Sequence, residues 1–360
     1  WFRWSNGIIA VVLMGFSITP LRRLLISDRL FGVFRKLLPK VSETEQEALD
    51  AGTVWWDAEL FSGRPRWREL LKVPKPSLTE EERAFIDGPV EELCRRMNDW
   101  EISEFHKRLP DDIWSFMREQ RMFGMIIPKE FGGLGFSAQA HSETVMKLAS
   151  RNLSAAITVM VPNSLGPGEL LLHYGTDEQK EYYLPRLASG EEVPCFALTS
   201  ATAGSDAAGS MCDTGVVCRE TVDGQEVLGF RLNWNKRYIT LAPVATLIGL
   251  AFKASDPDGL LGNELDLGIT CALVPATTPG VEAGDRHMPV GAMFMNGPTR
   301  GKDVFIPLEQ VIGGTAGVGR GWRMLMHWLA EGWAISLPAT GSAGGKMASL
   351  LCGAFARVRY

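Results

Sequence analysis

The hydrophobic pattern at the start of the chain is unlike the rest. Residues 8–18 (IIAVVLMGFSI) form an uncharged apolar run of eleven residues, and residues 21–38 mix leucine and phenylalanine with arginine and lysine. Eleven residues are fewer than the roughly 20 that a transmembrane helix needs, but a basic amphipathic stretch suits a helix lying in a membrane interface. We predict a membrane-associated segment over 1–40. The alternative is a buried terminal helix with a solvated basic side.

A polar stretch and then a helical pattern follow. Residues 41–78 end in a part with three prolines and predict a linker. From residue 79 onward the spacing of apolar positions is mostly helical, and Thr79 with Glu82 and Thr176 with Gln179 each have the spacing of a capping box. We predict a helical domain over 79–191.

The spacing changes near residue 192 to short runs rich in β-branched and aromatic residues. The run 227–240 (VLGFRLNWNKRYIT) is typical of a strand, and Asp223-Gly224 just before it is a hairpin signal. We predict a β domain over 192–312.

A helical pattern returns in residues 313–360, which we interpret as the first part of a C-terminal helical domain. The predicted fold class is therefore α+β, with the β domain between two helical ones. Because residue 1 is Trp and the helical pattern is unfinished at Tyr360, we expect a chain truncated at both ends. We also expect the apolar face of this helix to lack partner helices; its members are Trp322, Leu325, Met326, Trp328 and Leu329.

Composition and charge exclude some classes of protein. The 360 residues are 46% apolar with a net charge of −5, so no global basic excess indicates nucleic acid. Residues 1–40 nevertheless carry a net charge of +6, which leaves −11 on the remainder. The six cysteines form no CxxC pair and the five histidines no HxxxH or HExxH pattern, so we predict no metal site and a reducing compartment.

Three segments could carry chemistry. Residues 313–321 are rich in glycine, but their spacing is not GxGxxG and no βαβ pattern surrounds them, so we predict a flexible connection. The small and hydroxyl residues of 197–206 (ALTSATAGSD) allow a ligand to approach the backbone closely; the alternative is an ordinary turn. In 236–240 (KRYIT), Tyr238 and Thr240 are two residues apart on a strand and could hold a planar cofactor; the alternative is a half-buried edge pair.

Segments 197–206 and 236–240, in this order within an α–β–α arrangement, resemble the acyl-CoA dehydrogenase family. The family's flavin motif is small–aliphatic–Thr–Glu–x–x–small–Gly–Ser–Asp, and here Ser200 replaces the Glu and Ala201 the usual Pro. About forty residues later the family has an aromatic–Ile/Val–Thr/Ser segment, matched by 238–240 with Tyr in place of the usual Trp. Segments 128–135, 174–191 and 299–307 agree as well. The N-terminal extension with 162–171 and 234–243 is similar to the large bacterial enzymes of fatty-acid degradation (the FadE type).

The resemblance implies FAD between the β domain and the C-terminal helices. It implies that Leu198 and Thr199 contact the pyrimidine end of the ring, that Thr240 hydrogen-bonds near N5 and that Tyr238 packs on the ring face. Ser205 would meet the pantetheine of the substrate or the phosphates of the cofactor. The implied cofactor-binding residues are Phe196, Leu198, Thr199, Ser205, Tyr238, Ile239 and Thr240, and the implied substrate-binding residue is Ser205.

The resemblance does not identify the catalytic base. In most family members the base is a Glu late in the C-terminal domain, whereas a minority place it on the first helix of that domain, directly before an Arg. Glu331 lies on the matching helix but precedes Gly332, and the usual position falls on Gly332. A solvated acidic residue is therefore the alternative for Glu331, and the catalytic residue stays unassigned.

The implied activity is flavin-dependent α,β-dehydrogenation of fatty acyl-CoA to trans-2-enoyl-CoA, with the α-proton going to a Glu base and the β-hydride to FAD. Its implied partners are the acyl-CoA substrate, an electron-transfer flavoprotein and further copies of the same chain, at the cytoplasmic face of the bacterial inner membrane. Two alternatives stay open: an acyl-CoA oxidase of the same superfamily, and a membrane-anchored flavin or acyl-CoA binding protein without turnover.

Overall fold

The computed structural model describes residues 2–38, 41–51, 55–204, 206–289 and 292–359. The chain divides into two compact units, residues 1–46 and 47–360. The predicted order of a helical region, a β region and a final helix is confirmed, and the architecture is α+β.

The first unit consists of helices. They are α1 (Phe2–Ser17), α2 (Thr19–Arg22) and α3 (Asp28–Leu37), with a π turn (Arg23–Ser27) before α3. Among the described residues, none of the helices alone has the length and apolar character to cross a membrane. The bent pair Trp4–Ser17 and Thr19–Leu37, with a 90° bend, satisfies both criteria together. Membrane association of residues 1–40 stays a prediction.

The interval predicted as a linker contains local helical structure. It holds α4 (Glu43–Ala51), a 3₁₀ turn (Trp56–Ser62) and α5 (Trp67–Leu70). The rings of Trp56 and Trp67 lie 4.9 Å apart, and Trp56 Nε1 donates to the carbonyl of Arg66 at 3.1 Å. These contacts do not test the prediction that residues 41–78 form a linker, which stays a prediction.

The helical region begins and ends at the residues that its local signals indicate. Both predicted capping boxes form: the hydroxyls of Thr79 and Thr176 accept from the backbone N–H three residues later, and the side chains of Glu82 and Gln179 accept in return. Gly190, in the left-handed region with φ 74°, ends the last helix. The helices are α6 (Glu80–Phe85), α7 (Glu91–Arg96), α8 (Asp111–Glu119), α9 (Ala138–Ala149), α10 (Leu153–Met160), α11 (Gly168–Tyr174) and α12 (Asp177–Ser189).

The β region is one mixed sheet with the order β1-β4-β2-β3-β7-β6, and β5 pairs with β4. Asp223 and Gly224, with φ 50° and 79°, form the tight turn between β2 and β3, so the hairpin prediction is confirmed. The buried faces of β3, β4, β5 and β7 supply most of the core of the sheet. The strands are β1 (Pro194–Ala197), β2 (Thr214–Val222), β3 (Gln225–Thr240), β4 (Leu247–Ser255), β5 (Asp266–Pro275), β6 (Val281–Ala283) and β7 (Asn296–Pro307).

An irregularity interrupts the pairing of β3 with β7. The register shifts between Lys236 and Ile239, and Tyr238 lies in the left-handed region with φ 57°. Bulges of this kind redirect a side chain at the edge of a site. The simple alternation that we expected for Tyr238 and Thr240 is therefore absent, although both line the same cavity.

The glycine-rich connection 313–321 is packed rather than flexible, which corrects our expectation. A Cβ at Gly317 would overlap the carbonyl oxygen of Ile312, and one at Gly319 would overlap that of Leu267. The N–H of Gly319 donates to Thr270 Oγ1 at 2.9 Å. Gly319 is needed because the connection lies against β5, and Gly317 because the connection turns back on Ile312.

The final helix also differs from expectation. It comprises α13 (Gly321–Met324), a π turn (Leu325–Leu329) and α14 (Ala330–Val358). Leu325 and Leu329 are buried against the sheet and α11–α12, and Trp328 stacks on His173 with ring centroids 3.3 Å apart. The prediction that this apolar face lacks partners is therefore wrong. The large apolar side chains that are exposed on this helix are mostly near its end, at Leu350, Leu351, Phe355 and Val358.

Candidate functional site

A cavity of about 260 Å³ lies where β1, the end of β3 and the helices meet. Whole small-molecule sites span roughly 300–1,000 Å³, so this cavity suits the ring portion of a larger ligand. Its walls are apolar except for the side chains of two threonines and a tyrosine. The lining residues are Val161, Leu165, Phe196, Leu198, Thr199, Tyr238, Ile239, Thr240, Leu329, Trp333 and Leu337.

The segment that follows β1 is fixed to β3 by backbone hydrogen bonds. The N–H of Arg237 donates to the carbonyl of Thr199 at 3.1 Å, and the N–H of Ala201 donates to that of Asn235 at 2.9 Å. These two hydrogen bonds flank an isolated antiparallel β-bridge between Ser200 and Lys236. Two segments that are about forty residues apart in sequence thus form one wall of the cavity.

A buried ion pair supports this wall from behind. Lys236 Nζ lies 2.5 Å from Asp213 Oδ2, with side-chain exposures of 0% and 2%, and donates to the carbonyl of Leu198 at 2.8 Å. The hydroxyl of Ser200 donates to the same carboxylate oxygen, and the N–H of Asn235 donates to Asp213 Oδ1 at 2.8 Å. Ser200, the departure from the family motif, therefore belongs to a satisfied polar cluster.

The electrostatics of this cluster are a balance. Burial lowers the pKa of the Lys236 ammonium, and the neighbouring carboxylate of Asp213 opposes that change. Lys236 and Asp213 are held as an ion pair. Each hydrogen bond to the Asp213 carboxylate offsets part of the free-energy cost of removing that carboxylate from water.

Thr240 faces a partner across the sheet. It pairs directly with Asn296 on β7, and Asn296 Nδ2 donates to Thr240 Oγ1 at 3.3 Å and to the carbonyl of Tyr238 at 3.2 Å. Tyr238 is 61% exposed, and the centroid of its ring lies 5.1 Å from that of His287. The end of β3 thus offers one hydroxyl and one aromatic face to the cavity.

The opposite wall comes from α14 and the turn that ends α10. Trp333 and Leu337 line the cavity from the helix. Gly332 beside them is buried, and a Cβ there would overlap the carbonyl oxygen of Ser164. Ser164 Oγ lies 2.9 Å from Ser336 Oγ, so the two segments are also joined by a buried hydrogen bond.

The structure brings together six of the seven residues implied to bind a cofactor: Phe196, Leu198, Thr199, Tyr238, Ile239 and Thr240. Ser205 lies outside the described residues. Glu331 is on α14, and its side chain is outside the described part of the chain.

The sequence reasoning missed the helical wall of the cavity and the partners of Thr240. Leu329 was predicted only as part of an apolar face, and no role was predicted for Trp333. Asn296 and His287 carry no local signal, because Asn296 reaches Thr240 through the pairing of β7 with β3 and His287 reaches Asn296 from the segment between β6 and β7.

Two family models match most of the second unit. The acyl-CoA dehydrogenase N-terminal domain matches residues 78–191, and the middle domain matches residues 195–304. The chain belongs to the acyl-CoA dehydrogenase family.

Curated relatives match different shares of the chain. The chain is 31% identical over 319 residues to the probable acyl-CoA dehydrogenase FadE10 of Mycobacterium tuberculosis H37Rv, covering 86% of this chain and 46% of the relative. It is 29% identical over 298 residues to the human mitochondrial very long-chain specific acyl-CoA dehydrogenase, covering 82% and 44%. It is also 51% identical over 104 residues to the protein HemX of Proteus mirabilis, covering 29% and 61%. The chain thus spans between 44% and 61% of the length of these relatives.

Solved structures share the fold. Butyryl-CoA dehydrogenase from Megasphaera elsdenii superimposes with a TM-score of 0.66 at 21% identity, and a structure described as the FAD complex of PigA does so with the same values. A structure described as the electron transferring flavoprotein of Acidaminococcus fermentans gives 0.67 at 22%. Each comparison covers 80% of this chain and 71% of the other.

Proposed function

We propose that this chain forms the ring-binding part of an FAD-dependent acyl-CoA dehydrogenase that converts fatty acyl-CoA thioesters to trans-2-enoyl-CoA. The observation that carries the proposal is the cavity at the end of β3, where Thr240 and Tyr238 face Phe196 and Trp333. Family membership supports the reaction class, and the relatives with butyryl-CoA or very long-chain specificity in their names leave the acyl chain length open.

The described residues fit a flavin ring. A flat heterocycle needs apolar walls and a few polar groups at its edge, and the cavity offers both. Thr240 Oγ1 already accepts a hydrogen bond from Asn296, so its own hydrogen is available for a ring nitrogen. Tyr238 is exposed, and the Arg237 guanidinium lies over its ring, 5.1 Å from the centroid, so a bound ring would pack beside this cation.

When bound, FAD would accept the hydride that leaves the β-carbon of the thioester. The protein's part is orientation. Leu198 and Thr199 would hold the pyrimidine end of the ring, Thr240 would donate a hydrogen bond at its edge, and Phe196 and Ile239 would exclude water from the wall beside it. The polar cluster of Lys236 and Asp213 keeps this wall rigid from behind.

The α-proton needs a base, and position 332 is closed to one. The backbone of α14 lies too close to Ser164 for any side chain at Gly332. We therefore propose that the base is a glutamate, as in the family, and that it is none of the side chains that the structure describes.

The experiment uses the full-length gene product. We expect it to copurify with or take up FAD, to bleach the flavin on addition of an acyl-CoA, and to reduce an artificial dye or an electron-transfer flavoprotein. A series from butyryl-CoA to palmitoyl-CoA, with glutaryl-CoA as a diacid control, measures the substrate class. Rapid formation of hydrogen peroxide without an acceptor would indicate an oxidase instead. Flavin uptake without bleaching by any thioester would indicate a binding protein.

We further propose that the protein acts at the cytoplasmic face of the inner membrane and passes its electrons to an electron-transfer flavoprotein, as a homo-oligomer. The net charge of +6 on residues 1–40 and the exposed Phe31 and Phe34 on α3 support the membrane part. Family membership supports the partner and the oligomer.

A further inference from the structure

Asn296 connects the cavity to a histidine that does not line it. It is 6% exposed and pairs with Thr240 across β3 and β7. Its Nδ2 donates to the carbonyl of Tyr238 at 3.2 Å and to Thr240 Oγ1 at 3.3 Å, and its Oδ1 lies 3.3 Å from His287 Nδ1. All the hydrogen-bonding directions of this amide are therefore engaged, except for one acceptor lone pair.

The chemistry of these partners fixes the direction of each bond. The carbonyl of Tyr238 can only accept, so the amide nitrogen must face it, and the amide oxygen then faces His287. An amide nitrogen can only donate, so Thr240 Oγ1 must accept from Asn296. The oxygen of Asn296 can only accept, so His287 Nδ1 must carry the hydrogen between them.

The hydroxyl of Thr240 is thereby left with its hydrogen. Among the described residues, no hydrogen bond uses that hydrogen, while the side chain lines the cavity. A threonine hydroxyl without such a neighbour could turn its hydrogen toward any nearby acceptor, including the carbonyl of Tyr238.

We propose that Asn296 is a positioning residue that makes Thr240 a hydrogen-bond donor into the cavity, and that His287 holds the amide of Asn296 in the required orientation. This inference rests on the proposed flavin function. Its consequence is that the oxidised ring, whose N5 can accept this hydrogen, would be stabilised more than the reduced ring, whose N5 carries a hydrogen of its own, and that Asn296 sets the direction of the donor.

A purely structural role for Asn296 predicts something different. Its bond to the carbonyl of Tyr238 also stabilises the bulge, so loss of that bond could move the ring wall without any effect on the direction of the Thr240 hydroxyl. The test therefore needs a variant of unchanged shape and a background in which Thr240 has no hydroxyl.

The test measures the flavin midpoint potential and the visible spectrum of the full-length protein. Asn296→Asp keeps the shape but replaces the donor by an acceptor, so the hydroxyl of Thr240 turns toward the carboxylate. We expect the oxidised flavin to lose about fivefold in binding relative to the reduced form, comparable to Thr240→Val. In the Thr240→Val background, Asn296→Asp should add little.

The double variant separates the two explanations. A shift of the potential by Asn296→Asp that persists in full in the Thr240→Val background would come from the added charge or a moved wall, and would overturn the inference. His287→Phe, which keeps a ring beside Tyr238, should shift the potential in the same direction. His287→Asn, whose amide N–H can replace the Nδ1 donor, should leave the midpoint potential near the wild-type value.

His287→Phe also serves if Asn296→Asp does not fold, because His287 is partly exposed. A wild-type protein that takes up no flavin would overturn the proposed function, and this inference with it. A protein that binds flavin but whose potential is unmoved by both substitutions would overturn the inference alone.

Discussion

At the scale of single residues, Gly332 is the glycine of α14 at which a neighbouring segment approaches the helix backbone closely. The buried Ser164 presents its carbonyl oxygen to the space that a Cβ would occupy, whereas Gly344, on the exposed part of the same helix, has open space there. The two glycines therefore form a matched pair within one helix.

We expect Gly332→Ala to destabilise the protein by about 1–3 kcal/mol, because the helix must shift away from the turn after α10. Gly344→Ala should be neutral or stabilising by up to about 1 kcal/mol, since alanine favours a helix. Urea unfolding of both variants measures the difference. Equal stability of the two would show that the helix moves aside without penalty.

The buried side chain of His141 makes the free energy of unfolding depend on pH. His141 on α9 is buried without a hydrogen-bond partner for Nε2 among the described residues, and burial lowers its pKa to about 4. The unfolded chain takes up a proton near the ordinary value of about 6.5, whereas the folded chain does so only near 4. The free energy of unfolding should therefore fall as the pH decreases through this window.

Between pH 7.5 and pH 5 we expect His141 to account for a loss of about 2 kcal/mol. Urea unfolding at the two pH values gives the total change, to which other groups contribute. His141→Gln keeps a polar side chain that does not titrate, so the difference between wild type and variant isolates the histidine. The same pH dependence in both proteins would contradict the assignment.

At the scale of elements, the wall of the cavity depends on a polar cluster between β2, β3 and the segment after β1. Lys236→Met would leave the Asp213 carboxylate buried without its cation. We expect a loss of about 3 kcal/mol or more in the free energy of unfolding, together with weaker flavin binding because Leu198 loses its anchor.

Lys302→Met is the matched control for this prediction. Lys302 is an exposed lysine on β7, and its substitution should change stability by less than about 0.5 kcal/mol. The double variant Lys236→Met with Asp213→Asn should recover part of the loss, since it removes the unpaired charge. A single Lys236→Met variant as stable as the control would show that the ion pair is dispensable.

Signals within one element predicted the elements well. The capping boxes at Thr79 and Thr176 and the hairpin turn at Asp223 each need only neighbouring residues, and the structure confirms all three. The family motif predicted which side chains from β1, the segment after it and β3 meet, and six of them do line one cavity. The wall from α14 and the Asn296 partner of Thr240 were not predicted, because helix packing and strand register bring residues together from distant parts of the chain.

At the scale of the whole molecule, charge separates the two ends of the sequence. Residues 1–40 carry a net +6 and the remainder −11. Each basic residue near an anionic surface contributes about 1 kcal/mol to its binding, and salt weakens this attraction. The basic segment is thus suited to an anionic leaflet, while the remainder of the chain is repelled by it.

We expect the full-length protein to sediment with vesicles containing phosphatidylglycerol and to be released when residues 1–40 are deleted. Reversal of three charges, Arg29→Glu, Arg35→Glu and Lys36→Glu, keeps the length and apolar residues of α3 and should weaken binding at low salt by at least tenfold. Equal sedimentation of the wild type and the deletion variant would exclude these residues as the membrane anchor.

The bulge at Tyr238 has a consequence for how this protein would evolve in the laboratory. A left-handed backbone at a residue with a Cβ costs about 1–2 kcal/mol, and glycine or asparagine adopts it more easily. Selection for heat resistance alone should therefore favour Tyr238→Gly or Tyr238→Asn, and selection for turnover should reject both because the ring face is lost. A library screened separately for heat resistance and for turnover should therefore select different residues at position 238. At this position, stability and activity favour different side chains.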